Sequence, residues 1–445
     1  MFDFWIILLF VIIFFQFLLM KKNKSINKLF NLFLFVSFLM WYFVPITLTM
    51  FGIEGILNFL RITRYEYYEL AIKELILYFL IIACFNLLSG RKKIIFSNLQ
   101  FVENISQFQD KIFTRFTVIF LIIYLVFVGI NQMDYQLNNN IELQQGGLFQ
   151  LLTFFATYLL SYLWINIIYD STAKKRIVAI FIIIFHTFLF VVSGSRIYVL
   201  SIVYLLFFII QRENNIVKKI RNYIILGVFI LASFISLPFF AAQRSGVDAA
   251  AFANSENIGM LVLEELNIKL NSISYGTVLM KYDGEEFAGF TPYVGSLVKF
   301  VPRFIWKSKP TATSFNEDIS GIPSRRTAFL ITGDADTFNT GISTYAVAAW
   351  QMGFWTVFLT LIFNVILFKF INSSLKSSSF YIKSFGFMLL GFPQLVMLPT
   401  YGDNIVQKLI EAILIFILLV MFGFFKLIRI KVNTVRDKNQ IQIIE

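Results

Sequence analysis

Residues 4–20 read "FWIILLFVIIFFQFLLM", without one charged side chain, and comparable runs recur to the end of the chain. A stretch like this limits the fold more than any motif does. Inside hydrocarbon each backbone N–H and C=O must find a partner within the protein, and a helix of about 20 apolar residues does so while crossing about 30 Å. With 58% of 445 residues apolar, 56 of them Phe, the chain is too apolar to be a string of charged-surfaced soluble domains. The first run follows an acidic residue, Asp3, and is followed by Lys21, Lys22 and Lys24 without a small-residue cleavage site, so it reads as a retained helix and not a signal peptide.

Spans are expected at 4–20, 29–50, 70–89, 116–131, 149–169, 177–193, 197–211, 222–241, 342–368, 384–399 and 405–425. The alternate connections 21–28, 91–115, 174–176, 212–221 and 369–383, with the tail from Lys426, hold 24 of the 38 Lys and Arg residues. Segments 132–148 and 400–404 hold none. The positive-inside rule then places the first set in the cytoplasm, the N-terminus outside and the C-terminus inside. The net charge of +12 is thereby a topogenic signal, not a nucleic-acid surface. The expectation is an all-α polytopic membrane protein of about 11 transmembrane helices. It divides into a membrane bundle (1–241), a large external loop (242–340), a second bundle (341–430) and a cytoplasmic tail (431–445).

The lone Cys84 supports neither a disulfide framework nor a thiolate metal site, and the lone His186, mid-span, reads as a packed residue. The external loop is nearly neutral, with nine Lys or Arg and eleven Asp or Glu in 99 residues. In its early part Val262, Leu266, Leu270 and Ile273 share a helical face, with Glu265 and Lys269 paired four apart, as in a helix lying along the outer interface. From "TPYVGSLVKFVPRFIWKSKP" onward Pro and Gly interrupt the pattern. Its aromatic content is too high for disorder, and loops of this length are generally functional.

Residues 177–211 are too long for one span, so "SGSR" at 193–196 is read as an outer hairpin turn. Arg196 then sits in the first turn of a helix, where a cation opposes the dipole unless an anion docks there. The alternative is an arginine snorkelling to the interface. Arg244, Arg303, Lys307, Arg325 and Arg326 fall on the same side, and one polyanionic ligand such as a diphosphate suits their bidentate geometry. Carboxylates available as a general base are Asp283, Glu285, Glu286, Glu317, Asp318, Asp334 and Asp336. "GDADTF" contains a D-x-D, a short pattern without the further ligands of a complete metal site.

"SGSR", then "QRSG", then "VPRFIWKSKP", then "TFNTGISTYAVAAWQMGFWTVF" entering a helix is an order that resembles the bacterial oligosaccharide repeat-unit polymerases, the Wzy-type enzymes of O-antigen and capsule assembly. The similarity covers about residues 177–360. Where that family commonly has an acidic residue before the aromatic, this chain has Ala348 and Ala349. The resemblance implies a GT-C-like bundle and an inverting glycosyltransferase with neither metal nor cofactor. Undecaprenyl-diphosphate-linked oligosaccharides would be both donor and acceptor, at the outer face of the cytoplasmic membrane, with a separate chain-length regulator as a partner. Arg196, Arg244, Arg303, Arg325, Arg326 and Lys307 would meet the diphosphates. A carboxylate among Asp334, Asp336, Glu317 and Asp318 would act as base, and Trp306 and Tyr293 would pack on sugars. Two alternatives stand beside it. An O-antigen ligase resembles this plan but carries a functional His in its outer loop, and 242–340 has none. A lipid-linked oligosaccharide flippase would place charges inside several spans, and these spans are nearly charge-free.

Overall fold

The computed structural model of the chain describes residues 2–23, 26–89, 99–103, 107–138, 147–169, 173–192, 199–211, 214–228, 258–298, 323–334, 341–390, 402–421, 425–431 and 442–444. Helix α1 (Phe2–Lys22) is followed by a span in three pieces: α2 (Lys28–Phe38), a π turn (Leu39–Phe43) and α3 (Val44–Met50). Pro45 has no N–H for the carbonyl four residues back, and the wider turn before it re-registers the ladder around that gap. A short α4 (Gly55–Leu60) leads into α5 (Arg64–Ser89). A capping box starts α5: Glu66 N–H donates to Thr63 Oγ1 at 3.2 Å, and Thr63 N–H donates to Glu66 Oε2 at 2.8 Å. Next come α6 (Gln107–Asn138), α7 (Gly147–Ile168), α8 (Ala173–Val192), α9 (Val199–Gln211) and α10 (216–228). Helices α8 and α9 pack on each other on either side of residues 193–198.

Beyond residue 257 the described chain forms α11 (Ile258–Leu270), α12 (Ser272–Tyr282), α13 (Thr291–Val298), α14 (Pro323–Thr332) and α15 (Thr344–Met352). Then follow α16 (Phe354–Lys376), α17 (Phe380–Leu389) and α18 (Gly402–Met421). Among the described residues, three segments are long and apolar enough to cross a membrane: Lys28–Met50, Arg64–Ser89 and Phe354–Lys376. The outward faces agree with that solvent. On α8, Ile177, Phe181, Ile184 and Phe188 form an exposed apolar stripe, as Ile76, Leu80 and Leu87 do on α5. The chain is thus a helical membrane protein. Its centre is filled by aromatic side chains, among them Phe30, Phe33, Tyr78, Trp164 and Phe368, all fully buried.

Three expectations change. Residues 342–368 are two helices, because Gly353, at φ +58° and ψ −137°, adopts a backbone closed to other residues and separates α15 from α16. The face drawn through Val262, Leu266, Leu270 and Ile273 is cut at Asn271, whose Oδ1 caps the start of α12 at Ser274 N, 3.1 Å away. Ile273 therefore belongs to a separate helix, buried from Ser272 to Leu279. The all-α description fits the membrane body, but a three-stranded antiparallel sheet joins β1 (Leu99–Glu103), β2 (Phe425–Lys431) and β3 (Gln442–Ile444). Leu99 stands opposite Arg429, and Arg429 opposite Ile444.

Contacts sort the connections into two sets. Asn27 N–H meets Asn372 Oδ1 at 2.8 Å, Lys175 meets Asp110, Lys383 lies 4.0 Å from the Tyr169 ring centre, and β1 pairs with β2. All of these join segments that the charge pattern groups together. The other set joins α3, α4 and the start of α5 to α11, α12 and α15.

Candidate functional site

Glu74 is the centre of the second set. It lies on α5 within "AIKELILYFL", is 1% exposed, and receives four hydrogen bonds. Tyr42 Oη donates to Oε1 at 2.9 Å and Ser343 Oγ to Oε2 at 2.5 Å. Thr344 N–H donates to Oε1 at 3.2 Å and Tyr345 N–H to Oε2 at 2.6 Å. The two N–H groups belong to the first turn of α15, where helical N–H groups have no partner within the helix, so the carboxylate satisfies them and complements the positive end of the dipole. Ser343 also caps the helix by accepting from Ala346 N–H at 3.2 Å.

At the far end of α15 the carbonyls of Ala349, Trp350 and Gln351 accept from the N–H groups of Glu286, Ala288 and Gly289 at 2.8–3.0 Å. Trp350, fully buried, donates its indole N–H to Asp283 Oδ2 at 3.1 Å. The Asp283 carboxylate, 2% exposed, also holds Arg326 through two bonds, Nε to Oδ2 at 2.8 Å and Nη2 to Oδ1 at 2.6 Å. Asp283 raises the Arg326 guanidinium further above its ordinary range. That guanidinium stands 4.9 Å from the Phe287 ring centre, and Phe287 stacks on Trp350 at 5.8 Å. Helix α12 approaches closely enough that a Cβ at Gly276 would sit 2.8 Å from Ser343 Cβ and 2.9 Å from Ala346 Cβ. Asn267 on α11 donates to the Ile53 carbonyl at 2.7 Å, and Lys281 pairs with Glu66 at 3.1 Å.

Beside Glu74, on the outward face of α5, Lys73 bonds Glu69 at 2.9 Å and interacts electrostatically with Tyr345 and Glu285. This end thus carries exposed charges of both signs beside a buried carboxylate. Among the described residues no group of three or more His, Cys, Asp or Glu is placed to hold a metal ion.

Of the residues singled out from the sequence, Arg196, Arg244, Arg303, Trp306, Lys307, Glu317, Asp318 and Asp336 lie outside the described residues. Arg325 and Arg326 are neighbours on α14, and the exposed Asp334 follows its C-terminus beyond Gly333. Tyr293 lies on α13, which packs on α18, and its ring meets Phe290 edge-on at 6.0 Å. Two of these residues are already partnered in this structure. Arg326, expected to clasp a diphosphate, gives its Nε and Nη2 donors to Asp283, and both oxygens of Asp283, considered as a base, accept hydrogen bonds. Sequence reading passed over Glu74, taken as a charge near a span end, although a carboxylate inside an apolar run is itself a signal.

Neither a family model, nor a characterised protein, nor a solved structure matches the chain.

Proposed function

We propose that the chain is a glycosyltransferase that polymerises undecaprenyl-diphosphate-linked oligosaccharide repeat units at the outer face of the bacterial cytoplasmic membrane. In this reading the N-terminus is outside, the C-terminus is cytoplasmic, and the growing glycan passes to the newest lipid-linked unit. The supporting observation is where polar chemistry collects. The described part of the large polar segment is helical; its buried Asp283 accepts from Trp350 of α15, and the first turn of α15 is held in turn by the buried Glu74. The centre of the bundle is filled by aromatic side chains, which supports chemistry at one end over passage through the middle. With Arg326 engaged by Asp283, Arg325 and the cations Arg196, Arg244, Arg303 and Lys307 remain the candidates for leaving-diphosphate stabilisation.

The test is a gel of surface glycan from wild-type cells, a deletion strain, and cells carrying Arg196→Ala, at matched membrane levels. The deletion should collapse the ladder to a single repeat unit. Arg196→Ala should cut polymer by about a hundredfold, as loss of one charge-stabilising donor does. A full-length ladder in the deletion strain would overturn the reading, and long polymer retained on its lipid carrier would identify a ligase.

A further inference from the structure

Glu74 faces no solvent and sits in the membrane-embedded part of the chain, yet four donors from two separate segments, Tyr42 and residues 343–345, converge on it. We propose that Glu74 is a positioning residue: it holds α15 in the single register that aligns the whole extracytoplasmic cap, and so sets the geometry of the reacting groups without touching them. This rests on the glycan-transfer reading for its catalytic consequence, though not for the latch itself.

The chain of contacts runs in both directions from α15. At its first turn the Glu74 carboxylate ties Ser343, Thr344 and Tyr345 to α5 and, through Tyr42, to the π turn that follows α2. At its last turn the same helix presents three carbonyls to the 286–289 turn and the indole of Trp350 to Asp283. Asp283 in turn fixes Arg326 and with it the register of α14, which carries Arg325. Sliding α15 by one residue would break the three bonds that residues 343–345 give Glu74 and withdraw Trp350 from Asp283. A charged or protonatable group in so apolar a place is costly unless fully partnered, and nothing else on α5 at this depth demands a carboxylate. An amide cannot replace it, because Gln offers one acceptor oxygen and turns two donors toward Ser343 and the Tyr345 N–H.

The test uses the full chain purified in detergent, with Cys84→Ser and a reporter, Ser272→Cys. Cys84 is the one native cysteine, and Ser272 is 6% exposed with its carbonyl bonded to Ser343 N–H at 3.0 Å. A water-soluble maleimide should label this reporter slowly, and at least about tenfold faster when Glu74→Gln is added, since two or more charge-assisted bonds are lost. Tyr42→Phe, which removes one donor and keeps the carboxylate, should give a smaller increase; it also serves if Glu74→Gln fails to fold. In cells, polymer per folded molecule should fall more than about tenfold in Glu74→Gln and less in Tyr42→Phe. Unchanged labelling in both variants overturns the latch, whatever the glycan does. Faster labelling with unchanged polymer per folded molecule overturns the positioning role. If the deletion strain keeps its ladder, the glycan-transfer reading is what fails, and labelling still decides the latch.

Discussion

Each end of the molecule has a knot built around aspartate, and the two differ in how they treat water. At the capped end Asp283 is 2% exposed, and it is closed in by a bidentate arginine, an indole N–H and the stacked ring of Phe287. At the opposite end Asp110 is 33% exposed; Lys175 reaches it at 2.5 Å, and the hydroxyls of Tyr162 and Tyr381 donate to its other oxygen at 3.1 and 3.0 Å. Arginine matches a carboxylate with two fixed parallel bonds, whereas lysine is a hydrated point charge on a mobile stem. The sealed knot fixes one geometry for α12, α14 and α15. The wet knot holds α6, α7, α8 and α17 together while leaving them room to adjust. Rigidity sits where the proposed chemistry is.

The largest effect expected from breaking this comparison is at Asp283. Asp283→Ala would leave Arg326 partly buried without its partner and strand the Trp350 indole, a loss of about 3–5 kcal/mol of the kind seen when half of a buried pair is removed. Thermal unfolding of the purified chain should show it, and Arg326→Met in the same chain should recover much of it by removing the stranded charge. If Asp283→Ala costs less than Asp110→Ala, the contrast between sealed and wet knots is wrong. Next in size is Gly276→Val. Its β-carbon alone would stand 2.8–3.1 Å from Ser343, Ala346 and Leu70, closer than packed atoms tolerate, so α12 must back away from α15 at about 1–3 kcal/mol. The lower stability should come with faster labelling at the Ser272 reporter.

How much of this was legible beforehand follows from range. The apolar runs announce their helices because hydrocarbon forces local hydrogen bonding, and α5 and α8 lie where the pattern puts them. The hairpin between α8 and α9 was legible for the same reason, from length alone. Gly353 and Asn271 were legible in principle as a helix stop and a cap, but inside apolar or periodic stretches the stronger signal masked them. The sheet was not legible, since β1 and β2 are more than three hundred residues apart and pair through backbone. The knots were not legible either: nothing local says that Asp283 will meet Arg326 and Trp350, or that Glu74 will meet residues 343–345. An arginine read by itself is a free cation; only the fold reveals that its charge is already spoken for.

The smallest effect, and the sharpest test of the contrast, is the pH dependence at Asp110. Burial alone would raise its carboxyl, but Lys175 and the two tyrosine hydroxyls outweigh burial and hold it below the ordinary carboxylate range. A carboxylate depressed in the folded state contributes stability that is fully present above its unfolded value and is lost as pH falls through its folded one. Asp110→Asn should therefore cost about 1 kcal/mol near neutral pH, less in high salt because the Lys175–Asp110 pair is partly exposed. In acid below the carboxylate range the variant and the parent should unfold at the same temperature. The sealed pair should behave otherwise under the same comparison: salt should leave the cost of Asp283→Ala nearly unchanged, since ions cannot enter between groups closed in by Trp350 and Phe287. Equal salt sensitivity at both aspartates would mean that the capped end is as wet as the other, and that its geometry is held by something other than these bonds.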